Sequence, residues 1–376
     1  MTEPGTAALP EGGRVDFTEL RAARQERVYA AMAEAELDVL VLGRPSSIAY
    51  VTGARALWTA GSRPFSPSCI VMREDRRIHL LATWDEGVPD EIPHEQLFGL
   101  SWNPSIAAGN VKAIRGLDRA GRIGADGTSV GFNRLLADAA PDAELVDARD
   151  LLHRARSAVL GDELLAIETA CALAEAGLED MCSALGQGRT TRQLLGVLAE
   201  RLGQMGEPVV PDEAIGFATA RGHRSVVDDH PFDAGELVAL RPSARYAGYV
   251  GAIARTVAVG GELTDAQRSL GRRCREALDA VIGACVPGVS GDHLRSVWRD
   301  AGGGPLPAPL VTGLGLGVQR PIIDDAVGGA EALGDGMVVA VHAWLPDDQL
   351  GGWLEGDVVA VTADGPLTLT RWSDPA

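Results

Sequence analysis

The chain has 376 residues, a net charge of -18 and a pI near 4.8, a balance that argues against a nucleic-acid partner, which would favour a basic face. With 46% hydrophobic and 23% charged residues it has the composition of an ordinary globular protein, long enough to bury two cores. Lys112 is the only lysine, so Schiff-base chemistry has a single candidate, in a polar segment.

The opening MTEPGTAALPEGG lacks a basic start followed by an apolar run, so residues 1–14 are expected to be a disordered tail and not a secretory signal. From Thr18 to Glu36 apolar residues recur at helical spacing, and DVLVLG follows as a short buried strand. SCIVMRE and RIHLLAT read as a strand pair, Pro104 to Leu117 as a helix, and RIGADG and ELVDA as further strands. This half is expected to be an α/β domain over residues 15–158.

Beyond Arg156 the texture changes. DELLAIETACALAEAGLEDMCSAL and TTRQLLGVLAERLGQMG predict two packed helices, the second capped by Thr190 or Thr191. Strands ELVAL, GAIARTVAV, GMVVAVHAWL and DVVAVTA then alternate with helices near Thr264 to Cys285 and Gly291 to Ala301. Residues 159–376 thus read as an α+β domain in which helix, helix and sheet occur twice. No run of about 18 apolar residues occurs, which removes a membrane span. The five cysteines form no C-x-x-C pair and are read as reduced thiols of a cytoplasmic protein.

Six segments carry a resemblance: RQERVYAAMAEAELDVLVLGRPSSIAYVTG in the first half, and DELLAIETACALAEAGLEDM, GELVALRPSARYAGYVGAIARTVAVG, VTGLGLGV, GDGMVVAVHAW and LEGDVVAVTADG in the second. In order and spacing they resemble the creatinase, prolidase, aminopeptidase P and methionine aminopeptidase family. That resemblance implies a creatinase-like N-terminal domain followed by a pita-bread domain. It also implies two aspartates, a histidine and two glutamates around a pair of divalent ions. Carried over, the aspartates fall on Arg241 and Ala252, the histidine on Leu314, the first glutamate on His342, and only Glu355 matches. A dinuclear site needs several hard anionic ligands. No metal and no cofactor is therefore expected.

Creatinase, the family's metal-free member, uses an acid/base histidine in a loop that reads RGHRSVVDDHPFDAGEL here, which nominates His223. His223, His342 and Glu355 are the candidate catalytic residues, against the plainer readings of a solvated loop histidine and a core histidine. Arg241 is expected either to pair with Glu355 in the vacated metal site or to clamp a substrate carboxylate. Arg320, after the glycine turn, is a further substrate-binding candidate. Arg63 and Phe65 are others, lent across a dimer interface as in creatinase-like proteins. The resulting expectation is a homodimeric, metal-independent, creatinase-like enzyme cleaving a C–N bond of a small amino-acid-derived or guanidino substrate. The alternatives are an inactive pita-bread module that binds a ligand or protein, and a rebuilt mononuclear iron site on His223, His342 and Glu355.

Overall fold

The computed structural model describes residues 15–54, 68–82, 87–99, 103–205, 215–221, 230–305 and 309–372. The chain divides into two compact units, one spanning Asp16–Arg156 and the other built from Ser157 onward.

The first unit is a mixed six-stranded sheet with helices. Its elements are α1 (Phe17–Glu34), β1 (Val39–Leu42), α2 (Pro45–Thr52), β2 (Ser68–Met72), β3 (Arg77–Ala82), β4 (Leu97–Gly99), α3 (Pro104–Lys112), β5 (Arg122–Asp126), α4 (Val130–Ala139), β6 (Glu144–Asp147) and α5 (Arg149–Ser157). The strand order is β4-β3-β2-β1-β5-β6. Wholly apolar β1 lies at the centre, antiparallel to β2 and parallel to β5, as its buried VLVL run requires. Asp16 caps α1, its Oδ1 accepting the amides of Thr18 and Glu19 at 3.0 Å. The helix expected to reach Leu117 stops at Lys112, and a separate 3-10 turn covers Leu117–Arg119. Gly116 between them, at φ 88°, adopts a left-handed conformation that breaks the helix.

The second unit runs α6 (Gly161–Ala184), α7 (Thr191–Gln204), β7 (Ile215–Ala218), β8 (Leu237–Arg241), β9 (Ser243–Tyr246), β10 (Tyr249–Ala252) and β11 (Arg255–Ala258). It continues with α8 (Asp265–Gly283), α9 (Gly291–Asp300), β12 (Val311–Gly315), β13 (Gly317–Ile323), β14 (Val338–Asp347), β15 (Gly351–Thr362) and β16 (Gly365–Thr368). The sheets are β11-β8-β7, the hairpin β10-β9, and β13-β12-β14-β15-β16, with an Ala254–Gly356 bridge joining the first to the third. Thr190 caps α7 in a capping box with Gln193, and Thr264 does the same for α8 with Gln267.

GAIARTVAV, expected as one strand, is two: β10 pairs with β9, and β11 pairs with β8 after a break at Ile253 and Ala254. The packing of β10 on α6 explains the break. A Cβ on Gly251 would lie 2.2 Å from the Cys171 backbone nitrogen, so the hairpin lies directly on the helix. Tyr249 secures it, donating its hydroxyl to Glu163 Oε1 at 2.6 Å, while Glu163 Oε2 accepts the Leu160 amide at 2.9 Å.

Alternation along β14 and β15 sorts their residues onto two faces. Val339, Val341, Ala343, Leu345, Trp353, Val359 and Val361 join Leu270, Cys274, Leu278 and Val281 of α8 in the main core. Trp344 and Leu354 point the other way, into a small cluster with Phe217, Ala239 and Ala254. The face under α8 is called the outer face below, and the opposite one the inner face.

Candidate active site

His342 belongs to the inner face. It lies between Val341 and Ala343, both in the outer core, and its cross-strand partner is Gly356. Arg241, two residues beyond inner-face Ala239 on β8, is close enough to act electrostatically on the His342 ring. Ala252 pairs with Ser243, and both point away from the α6 side occupied by Gly251. Leu314 pairs with Val338 on the inner face of β12 and β14.

The ring of His342 is buried, and its Nδ1 has no hydrogen-bond partner. Burial, reinforced by the charge of Arg241, pushes its pKa down to about 3. It is therefore neutral at physiological pH and serves as a hydrogen-bonding group, being too weak a base to take a proton readily. Ser243 Oγ is a second buried polar atom without a partner.

Glu355 does not join them. It pairs with Ala343 across the ladder, and so lies on the outer face with Trp353 and Asp357. Its Oε1 accepts the Trp353 Nε1 proton at 2.7 Å, and Oε2 lies 3.5 Å from Arg255 Nη1. Arg255 donates to the carbonyls of Ala254 and Gly356 and to Asp357 Oδ1, each at 2.8 Å. Arg275 reaches Asp357 Oδ2 at 2.5 Å, and Thr370 donates to Oδ1 at 2.8 Å. Burial raises the Asp357 pKa, but Arg255 and Arg275 outweigh it and hold the carboxyl below its ordinary range.

These positions correct the sequence assignment. The expected Arg241–Glu355 pair gives way to Arg255–Glu355, because the two-residue period of β15 turns Glu355 away from His342 and brings Gly356 to face it. The same alternation removes the mononuclear site, since His342 and Glu355 occupy opposite faces. Arg320 is half-exposed and bonds Glu331 Oε1 through Nε at 3.2 Å. His223, Arg63 and Phe65 lie outside the described residues. Gly356, Ser243 and the Phe217–Trp344 wall were missed. Counting by twos from Trp353 puts Glu355 and Asp357 on one face and would have singled out Gly356.

The two units and this arrangement define the class: a creatinase-type N-terminal domain followed by a pita-bread domain. The chain belongs to metallopeptidase family M24, whose pattern matches residues 166–363, and the Creatinase/Prolidase N-terminal domain matches residues 24–158. An Xaa-Pro dipeptidase of Pyrococcus furiosus is 28% identical over 236 residues, 59% of this chain and 65% of that protein. The match thus spans just under two thirds of that relative's length. An Xaa-Pro dipeptidase of Pyrococcus horikoshii is 26% identical over 255 residues, 64% of this chain and 70% of that protein. Among solved structures, the prolidase from Pyrococcus horikoshii OT3 superposes with a TM-score of 0.78 at 19% identity, over 93% of this chain and 98% of the other. The fold expectation holds in both domains.

The functional expectation is overturned. The relatives are named as Xaa-Pro dipeptidases and prolidases, so neither a creatinase-like enzyme for a guanidino substrate nor an inactive binding module is supported. The family's pair of divalent ions is a separate question, decided by the side chains present. Arg241, Ala252, Leu314, His342 and inner-face Gly356 supply one imidazole, one guanidinium and no carboxylate. Among the described residues, no three His, Cys, Asp or Glu side chains are placed to share a metal. The described residues do not fit an ion pair, and no step is derived through one.

Proposed function

We propose that the chain is a hydrolase of short peptides that takes an Xaa-Pro-type substrate on the inner face of its pita-bread domain. Membership of a peptidase family supports the reaction class, and the similarity to Xaa-Pro dipeptidases supports the substrate. The observation that carries the reading is the placing of Arg241 and neutral His342 on one face beside an apolar wall.

Each part has a use toward such a peptide. A guanidinium binds a terminal carboxylate through two parallel hydrogen bonds, the role that Arg241 takes in this proposal by exchanging its present contacts for the substrate's. His342 Nδ1 can accept one hydrogen bond from the substrate's amine or from a water. Phe217, Trp344 and Leu354, buried together with Ala239 and Ala254, give this face an apolar backing against which a proline ring would pack. His342 and Arg241 orient the peptide in this scheme. A homodimer is part of the proposal, as for creatinase-like chains, and a stable monomer in sedimentation would remove it.

The test is proline release from Ala-Pro, Leu-Pro and Met-Pro, followed by mass spectrometry in chelator and in added manganese or cobalt. We expect release that falls at least tenfold in Arg241→Met and His342→Ala. Absence of proline under every condition would overturn the proposal, as would undiminished release by both variants.

A further inference from the structure

On the outer face, away from the inner-face site, the described residues enclose a cleft of about 520 Å³ between α8 and the β15–β16 edge. That volume suits a small ligand. Its lining holds four guanidiniums, from Arg255, Arg268, Arg272 and Arg275, against two carboxylates, from Glu355 and Asp357. In a chain of net charge -18 a lining with two guanidiniums for each carboxylate runs against the average, although Asp265 and Asp279 at its rim pair with two of the arginines.

The two acids are already engaged within the wall. Asp357 gives both oxygens to Arg255, Arg275 and Thr370, and Glu355 holds Trp353 and approaches Arg255. The outer arginines are engaged differently. Arg268, Arg272 and Arg275 follow one another at helical spacings of four and three, which places them on one face of α8. Arg268 pairs with Asp265, whose side chain is 99% exposed, and Arg275 also pairs with exposed Asp279. Such solvent-facing pairs are weak and give way readily to a better acceptor. Arg272 is exposed and forms no salt bridge among the described residues, its charge acting at longer range on Asp265. The wall below is rigid: a Cβ on Gly271 would lie 2.8 Å from the Trp353 ring, so helix and strand pack there in direct contact.

We propose that this cleft binds a small dianion, a phosphate or a dicarboxylate, between Arg272 and Arg268 at its mouth and Arg275 deeper within. Guanidinium forks carried on one helix face can turn to the oxygens of such an anion, Arg268 and Arg275 exchanging their exposed partners Asp265 and Asp279 for it. Trp372 and Leu263 at the margin accommodate whatever apolar body the anion carries. This site is independent of the peptide-hydrolase proposal, since it shares no residue with the inner face.

The full-length protein is titrated with inorganic phosphate and with succinate, read by calorimetry and by tryptophan emission. Sodium chloride at matched ionic strength is the reference. Saturable binding of at least one dianion is expected, and the arm that saturates identifies its chemistry. Arg272→Glu should weaken it at least tenfold and Arg272→Lys much less, with the melting temperature unchanged without anion because residue 272 is exposed. Equal responses to chloride, or equal affinity in the wild type and Arg272→Glu, would overturn the site. Proline release by Arg272→Glu should match the wild type, which separates this outcome from the inner-face reaction.

Discussion

His342 and Gly356 face each other across the β14–β15 ladder, and a Cβ on Gly356 would lie 2.7 Å from His342 Cδ2. The glycine exists for room, since it is not among the residues of positive φ. The same Cβ would be 3.1 Å from Ala254 Cβ and 3.2 Å from the Val341 carbonyl. Gly356→Ala should therefore cost about 1–3 kcal/mol by overpacking. In a His342→Ala background the penalty should fall by more than half, because the ring that blocks the methyl group is gone. Urea denaturation of the four proteins measures this coupling. Independent, additive losses would mean that ring and glycine are not neighbours in solution.

Much of this could be read from residue order, and the part that could not has a definite cause. Helical spacing revealed α6, α7, α8 and α9, and apolar runs revealed β1, β14 and the second half of β15. Helices α2, α4 and α5 went unseen, as they are only eight, ten and nine residues long, and α2 and α4 begin in RPSS and TSVG, which read as loop. Residues 241, 252, 314 and 342 were located by carrying the family's motif over onto this sequence. Glu355 could not, because which face a strand residue takes depends on a register that only pairing fixes. One residue of difference exchanges a carboxylate for a glycine.

His342 also makes stability depend on pH in a stated direction. Its pKa is lowered from 6.5 to about 3 on folding, so between those values the unfolded chain binds a proton that the folded chain refuses. The stabilisation from keeping the ring neutral is present above pH 6.5 and is lost as pH falls toward 3, at up to about 1.4 kcal/mol per pH unit. Asp357, whose pKa is lowered, adds a loss of the same sign further down, below its ordinary 3.8. Denaturation midpoints of wild type and His342→Asn from pH 7.5 to 4.5 should diverge at the high end and converge at the low end. A constant gap would refute the assignment to His342.

Arg255 bonds the carbonyls of Ala254, just before β11, and of Gly356 on β15, together with the buried Asp357, so it ties β11 to β15. Arg255→Met leaves that carboxylate with Arg275 and Thr370 alone, at a cost of about 3–5 kcal/mol. Arg255→Lys should recover only part of the loss, since an ammonium cannot span three acceptors in the plane of a guanidinium. A shift in urea midpoint of similar size in Arg268→Ser, an exposed residue of the same cleft, would contradict this ranking.

The last expectation concerns metal. Two ions need bridging carboxylates, and the inner face offers an imidazole of depressed basicity beside a guanidinium whose charge opposes any cation. Leu314 adds hydrocarbon, Ala252 and Gly356 add no donor, and Glu355 is turned away under α8. A ligand held at a thousand times its dissociation constant would stabilise the native state by about 4 kcal/mol, a plain rise in melting temperature. Manganese, cobalt and zinc should produce no such rise, and dialysed protein should carry no stoichiometric metal by elemental analysis. Two equivalents per chain surviving dialysis would show that acids outside the described residues complete a site on this face. One equivalent, abolished by His342→Ala, would show that the unpartnered Nδ1 is a ligand despite its charged neighbour.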